Sequence, residues 1–89
     1  MWVRSQNKER LIKVKDFTVD GNSITTQIND NYIDYITLGV YSTKEKALKV
    51  MDMIQRTIIQ NEIVYAHEFS GSGVRDYDIF RMPQDSEVE

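Results

Sequence analysis

Apolar and polar residues alternate along the N-terminal part of the chain. Ile12 and Val14 fall on one side of the pattern, whereas Lys13 and Lys15 fall on the other. A period of two residues is typical of a β-strand that buries one face. The alternation changes phase near Asp16, where we expect a bulge or a tight turn.

Further strands are predicted on both sides of this segment. Asp20-Gly21 indicates a two-residue hairpin, because glycine tolerates the positive φ that a type I′ turn requires. The alternation resumes over residues 24–28 and again over residues 36–40, with a turn expected at Asn29–Asn31 between them. Short strands are also predicted in MWVRSQ at the start of the sequence and in DYDIFRMP near its end.

One helix is predicted after the third alternating segment. Ser42 and Glu45 have the S-x-x-E spacing of a capping box, in which each side chain accepts a hydrogen bond from the other residue's backbone N–H. An apolar stripe follows at spacings of four, three and four residues, and it predicts an amphipathic helix that reaches about residue 68. The β-branched segment Glu62–Tyr65 also fits a short strand, which is the alternative. The stripe consists of Ala47, Met51, Ile54 and Ile58.

These elements predict an α+β fold, in which an antiparallel β-sheet of about four to six short strands carries one long helix packed on one face. Residues 1–83 are expected to form a single domain. The 89-residue chain has a net charge of −3, and residues 70–89 contain five acidic residues against two basic ones. We therefore expect residues 84–89 to form an acidic, disordered tail.

The composition argues against several classes of function. The chain contains no cysteine, which excludes disulfides and cysteine-based zinc sites, and its one histidine, His67, cannot complete a metal site alone. Phosphate-binding glycine loops and nucleophile motifs are absent from the sequence. We therefore expect no catalytic, cofactor-binding or metal-binding residues, and no enzyme activity. The lack of a 20-residue apolar span and of a signal peptide predicts a cytoplasmic protein.

The far end of the predicted helix offers a candidate interface. A helix of about 25 residues would extend past the sheet beneath it and expose apolar side chains, which commonly mark a surface for a partner or for self-association. Aromatic rings are also enriched at protein interfaces. We therefore predict a homo-oligomer or a complex with another protein. The candidate contact residues are Trp2, Ile58, Ile59, Ile63 and Tyr65.

Three stretches of the sequence resemble those of a known group of proteins. LGVYSTKEKALKVMDMI in the middle of the chain, MWVRSQ at its start and IFRMPQD near its end resemble small uncharacterised proteins of Gram-positive bacteria and their phages. The resemblance spans the chain and is weakest through residues 59–75. It implies an intracellular setting and a phage or prophage context, and it assigns no activity.

The strand-to-helix joint ITLGVYSTKEKALKVM also resembles the last strand and helix of AP2-type DNA-binding domains. That resemblance implies a three-stranded sheet that enters the major groove of DNA while the helix supports it from behind. Groove-reading strands need clustered Arg and Lys, yet residues 17–41 contain neither. The isoelectric point of about 5.1 also favours a protein partner over nucleic acid. The alternative function is a nucleic-acid-binding module that uses a basic sheet face formed by Arg4, Arg10, Lys13 and Lys15.

Overall fold

The computed structural model describes residues 1–28, 34–67 and 79–89, and it describes the side chains of the helix as far as Asn61. It confirms the α+β class, with six short strands and one long helix. A 3₁₀ turn covers Asp85–Glu87 near the C-terminus. The regular elements are β1 (Trp2–Arg4), β2 (Leu11–Lys13), β3 (Thr18–Asp20), β4 (Ser23–Gln27), β5 (Tyr35–Val40), α1 (Lys44–His67) and β6 (Ile79–Arg81).

The six strands form two three-stranded sheets instead of one. Sheet A has the order β2-β1-β6, in which β1 pairs antiparallel with β2 and parallel with β6. Sheet B is the antiparallel meander β3-β4-β5. The phase change near Asp16 therefore marks the passage of the chain from sheet A to sheet B. The irregularity of pairing lies instead between Ile24 and Thr25, where β4 faces β5.

The predicted hairpin connects β3 and β4, with its turn one residue later than expected. Asp20 pairs with Ser23, so Gly21 and Asn22 are the two turn residues. Gly21 has a φ of 59°, and Asn22 does not share the positive φ, which is the glycine placement of a type II′ turn and not of type I′. Asn22 also bonds to the end of β5, because its side chain donates to the Tyr41 carbonyl at 2.6 Å.

The helix begins one residue later than the sequence pattern indicates. Thr43, and not Ser42, is the capping residue, since its hydroxyl accepts a hydrogen bond from the Lys46 N–H at 3.1 Å. The helix continues to His67, so the long helix is confirmed over a strand at Glu62–Tyr65. It packs against β3 and β4.

A single core joins both sheets and the helix. The helix contributes Ala47, Val50 and Ile54, spaced so that they share one face. Sheet B contributes Ile24 and Leu38. The remaining members come from sheet A, from the segments that follow β2, β5 and β6, and from the C-terminus: Val3, Val14, Tyr41, Phe80, Met82 and Val88.

The C-terminal residues 84–89 are ordered, which corrects the expectation of a disordered tail. Val88 is only 5% exposed and belongs to the core. Glu87 stabilises the 3₁₀ turn, since its carboxylate accepts a hydrogen bond from the Gln84 N–H at 2.8 Å. The buried Val88 and this hydrogen bond anchor the segment, and the polar composition around Val88 conceals its contact with the core in the sequence.

Candidate functional site

The two sheets meet at Gln6, which follows β1. The Gln6 N–H donates to the Leu38 carbonyl at 2.8 Å. Its side-chain amide accepts from the Val40 N–H at 2.8 Å and donates to the Val40 carbonyl at 2.9 Å. Gln6 thus pairs with β5 as a short strand would, and it covers part of an edge that is otherwise open to pairing with another chain.

Tyr41 connects this junction to the segment after β6 by a hydrogen bond. The Tyr41 side chain is buried, and its hydroxyl donates to the Pro83 carbonyl at 3.0 Å. Burial raises the pKa of Tyr41, and the negative charges of Asp85 and Glu87 raise it further. Tyr41 therefore remains a neutral hydrogen-bond donor at physiological pH, and these contacts serve the fold.

Asp85 holds the C-terminal segment against the start of α1. One carboxylate oxygen accepts from the Ser42 N–H at 2.7 Å, and the other lies 3.4 Å from the Lys46 Nζ. The Ser42 hydrogen bond, followed by the Lys46 charge, lowers the pKa of the Asp85 carboxyl. Negative charge is favourable at a helix N-terminus, so these acidic contacts stabilise the fold.

The predicted apolar interface is partly visible on α1. Ile58 is 39% exposed and Ile59 is 50% exposed, whereas the side chains of Ile63 and Tyr65 lie outside the described residues. Leu48, which the sequence analysis did not select as a contact, is 45% exposed. It lies on the same face as Ile59, since eleven residues make about three helical turns. We call Leu48, Ile58 and Ile59 the helix patch.

The fifth predicted interface residue, Trp2, lies away from the helix patch. It is in the central strand of sheet A, where its partners in register are Lys13 of β2 and Ile79 of β6. Paired residues on adjacent strands point to the same side of a sheet. Trp2 is partly exposed, and so is Ile79. The structure therefore places Trp2 on a different element from Ile58 and Ile59.

The same side of sheet A carries two of the predicted basic residues. Arg4 and Lys13 are exposed, and both lie opposite the core-facing row formed by the buried Val3 and Phe80 and the partly buried Ile12. Arg10 and Lys15 are also exposed, but they lie just outside the strands. We call the solvent side of sheet A the outer face. Its six members are Trp2, Arg4, Leu11, Lys13, Ile79 and Arg81.

Sequence reasoning missed three members of the outer face: Leu11, Ile79 and Arg81. Arg81 is paired in register with Arg4 because β6 lies parallel to β1. No local pattern reveals a pairing between strands that are so far apart in sequence. A cleft of about 570 Å³ adjoins this pair of arginines, and Lys8, Met53 and Glu87 contribute to its lining.

No helix within residues 1–28, 34–67 and 79–89 is long and apolar enough to cross a membrane. The same part of the chain contains no group of three or more His, Cys, Asp or Glu side chains placed to hold a metal ion.

Comparison with known proteins gave no match: no protein family fits the chain, and no curated protein or solved structure is similar to it.

Proposed function

We propose that this chain is a non-enzymatic interaction protein that self-associates through the helix patch. The observation that carries the proposal is the half-exposed Ile59, which lies on the solvent side of a helix whose core side is already formed by Ala47, Val50 and Ile54. The core does not need the apolar surface of Ile59. Burial against a second copy would remove that surface from water, at a gain of about 25 cal/mol for each Å².

A second copy of the chain is the simplest occupant of such a surface. Most soluble homo-oligomers are two-fold symmetric, so each copy presents the same patch to the other. Two antiparallel α1 helices could place Leu48 of one copy near Ile59 of the other. Asp52 and Gln55, which are exposed on the same side of the helix, would lie between these apolar contacts and help to fix their register.

The setting of this function is part of the proposal. The resemblance to small proteins of Gram-positive bacteria and their phages supports an accessory role inside the cell, in a phage or prophage context. Ile63 and Tyr65 remain predicted contacts that would extend the helix patch.

Sedimentation velocity across a range of protein concentrations tests self-association. We expect the wild type to sediment as an oligomer, and Ile59→Asp to sediment as a monomer because it places a charge in the interface. Leu11→Asp is the matched control, since Leu11 is equally exposed but lies on sheet A, and it should remain oligomeric. Identical sedimentation of the wild type and Ile59→Asp would refute the proposal.

A further inference from the structure

Charge is divided unequally between sheet A and the rest of the chain. Residues 1–15 and 79–81, which contain the three strands of sheet A and the β1–β2 loop, hold six of the eleven basic residues and one of the fourteen acidic ones. This part has a formal side-chain charge of +5, whereas the remainder has −8. The acidic isoelectric point of the whole chain therefore conceals one basic region.

The outer face arranges this charge around an aromatic ring. One cross-strand row places Trp2 between Lys13 and Ile79, and the next row places Arg4 between Leu11 and Arg81. Adjacent strands are about 4.8 Å apart, so three cations and three apolar side chains lie within one small surface. Among the described residues, the strands of sheet A contribute no carboxylate to this surface, Glu9 lies in the β1–β2 loop and Glu87 lines the adjoining cleft.

Arg4 of β1 lies opposite Arg81 of β6 in register, so their two positive charges are close together on the outer face. Arg4 is held in position by a hydrogen bond from its Nε to the Lys8 carbonyl at 2.7 Å. A guanidinium has five N–H donors, so its terminal nitrogens remain able to bind an anion. Lys13 has no hydrogen-bond partner among the described residues.

We infer that the outer face of sheet A binds single-stranded nucleic acid. The cations supply contacts to phosphates, and Trp2 supplies a surface on which a base stacks, the combination that sequence-tolerant single-strand binding uses. A single strand exposes the faces of its bases, which match Trp2, Leu11 and Ile79. A duplex keeps those faces stacked inside, so its phosphates would meet the apolar side chains of this surface. The site is separate from the helix patch and does not depend on self-association.

The first test is a fluorescence-anisotropy titration of the full chain with a labelled 15-nucleotide oligothymidine in about 20 mM salt. We expect saturable binding that weakens as salt rises, and weaker binding to a 15-base-pair duplex. Counterion release on a single strand makes log K fall with log salt by about 0.7 for each phosphate contact. Arg4→Gln and Lys13→Gln should each reduce that slope by about 0.7, whereas Arg56→Gln, the same change of charge on α1, should leave it unchanged.

Stacking is tested separately from charge. Trp2→Ala should weaken oligothymidine binding by about tenfold, because base–aromatic stacking contributes substantially to each contact. Trp2→Phe, which retains a smaller ring, should recover part of that loss, and the salt slope should not change. If Trp2→Ala does not fold, the lysine and arginine variants still decide the question.

Three outcomes would overturn the inference. The absence of saturable binding at low salt is the first, and a salt slope that Arg4→Gln and Lys13→Gln leave unaltered is the second. The third is equal or tighter binding to the duplex, to a polyglutamate peptide or to vesicles of anionic phospholipid, because the outer face would then recognise charge without bases. The Ile59→Asp variant should bind the oligonucleotide as the wild type does, so failure of self-association and failure of this site remain distinguishable.

Discussion

Sheet A and sheet B have the same number of strands but differ in how they use their two faces. The central strand of sheet B, β4, buries three consecutive residues, Ile24, Thr25 and Thr26, and the strands of sheet B contain no Arg or Lys. In each strand of sheet A, the middle residue faces the core and the residues before and after it face solvent. One of the solvent-facing residues in each strand is basic. The central strand of sheet B is thus part of the core, while its edge strand β5 exposes uncharged side chains such as Tyr35 and Val40. Sheet A covers the core with one face and presents a charged, partly aromatic face to solvent. Of the two sheets, only sheet A therefore has a basic surface among the described residues.

The largest expected difference comes from removing the same number of carbon atoms from each sheet. Ile24→Ala in β4 should lower the free energy of unfolding by about 2–5 kcal/mol, because the side chain is fully buried and leaves a cavity. Leu11→Ala in β2 should cost less than about 0.5 kcal/mol, since Leu11 is half exposed. Urea denaturation of both variants measures the contrast. Equal losses would mean that the outer face is buried in solution.

A smaller loss of stability is expected when the hydrogen bond between Tyr41 and Pro83 is removed. Tyr41→Phe removes the hydroxyl that donates to the Pro83 carbonyl, and it should cost about 1 kcal/mol, the usual net contribution of one buried hydrogen bond. The Gln6 side chain also donates to that carbonyl, at 3.3 Å, and this contact limits the loss. Tyr35→Phe, at an exposed ring of the preceding strand β5, is the control and should change the stability little. A similar loss in both variants would count against the Tyr41 bond.

The smallest effect is a dependence of stability on pH at Asp85. The pKa of its carboxyl in the folded protein lies below the ordinary value for aspartate, so the carboxylate contributes stability that is fully present above that ordinary value and is lost as the pH falls through the folded pKa. Asp85→Asn should therefore reduce the stability at neutral pH and flatten its decline in acid relative to the wild type. Thermal melts between pH 2 and pH 7 test this, with Asp52→Asn as a control on the exposed side of α1. Parallel curves for wild type and Asp85→Asn would contradict it.

Local sequence patterns predict sheet B and the helix better than sheet A. Sheet B and the helix are predicted by patterns whose contacts are local in sequence. These patterns are the Asp20-Gly21 turn, the alternation on either side of it and the stripe from Ala47 to Ile58. The pairing of β1 with β6 joins segments more than 70 residues apart, and no periodicity reports it. For the same reason the order of residues 84–89 was missed, because Val88 and Asp85 make their contacts with the core and with Ser42.

Sequence patterns singled out some members of the candidate surfaces but not the way in which they are grouped. The sequence singled out Trp2 for a protein interface and Lys13 for a basic face, as members of two separate hypotheses. The register of β1 with β2 places them side by side. Trp2 and Ile59 were assigned to one interface from a predicted strand and the predicted helix, and they lie in β1 and α1. Which surface binds a partner stays a prediction until the variants are measured.

The parallel pairing of β1 with β6 also has a consequence for the order of events during synthesis. Until residues 79–81 have been made, β1 has only β2 beside it, and a two-stranded hairpin is at best marginally stable on its own. At ordinary elongation rates, the ribosome takes several seconds to add the residues between β2 and β6. The meander of sheet B and much of the helix are available earlier. The residues of β1 therefore complete their native pairing only after those of β6 have been made, and Val3 and Ile12 stay open to chaperones in the meantime.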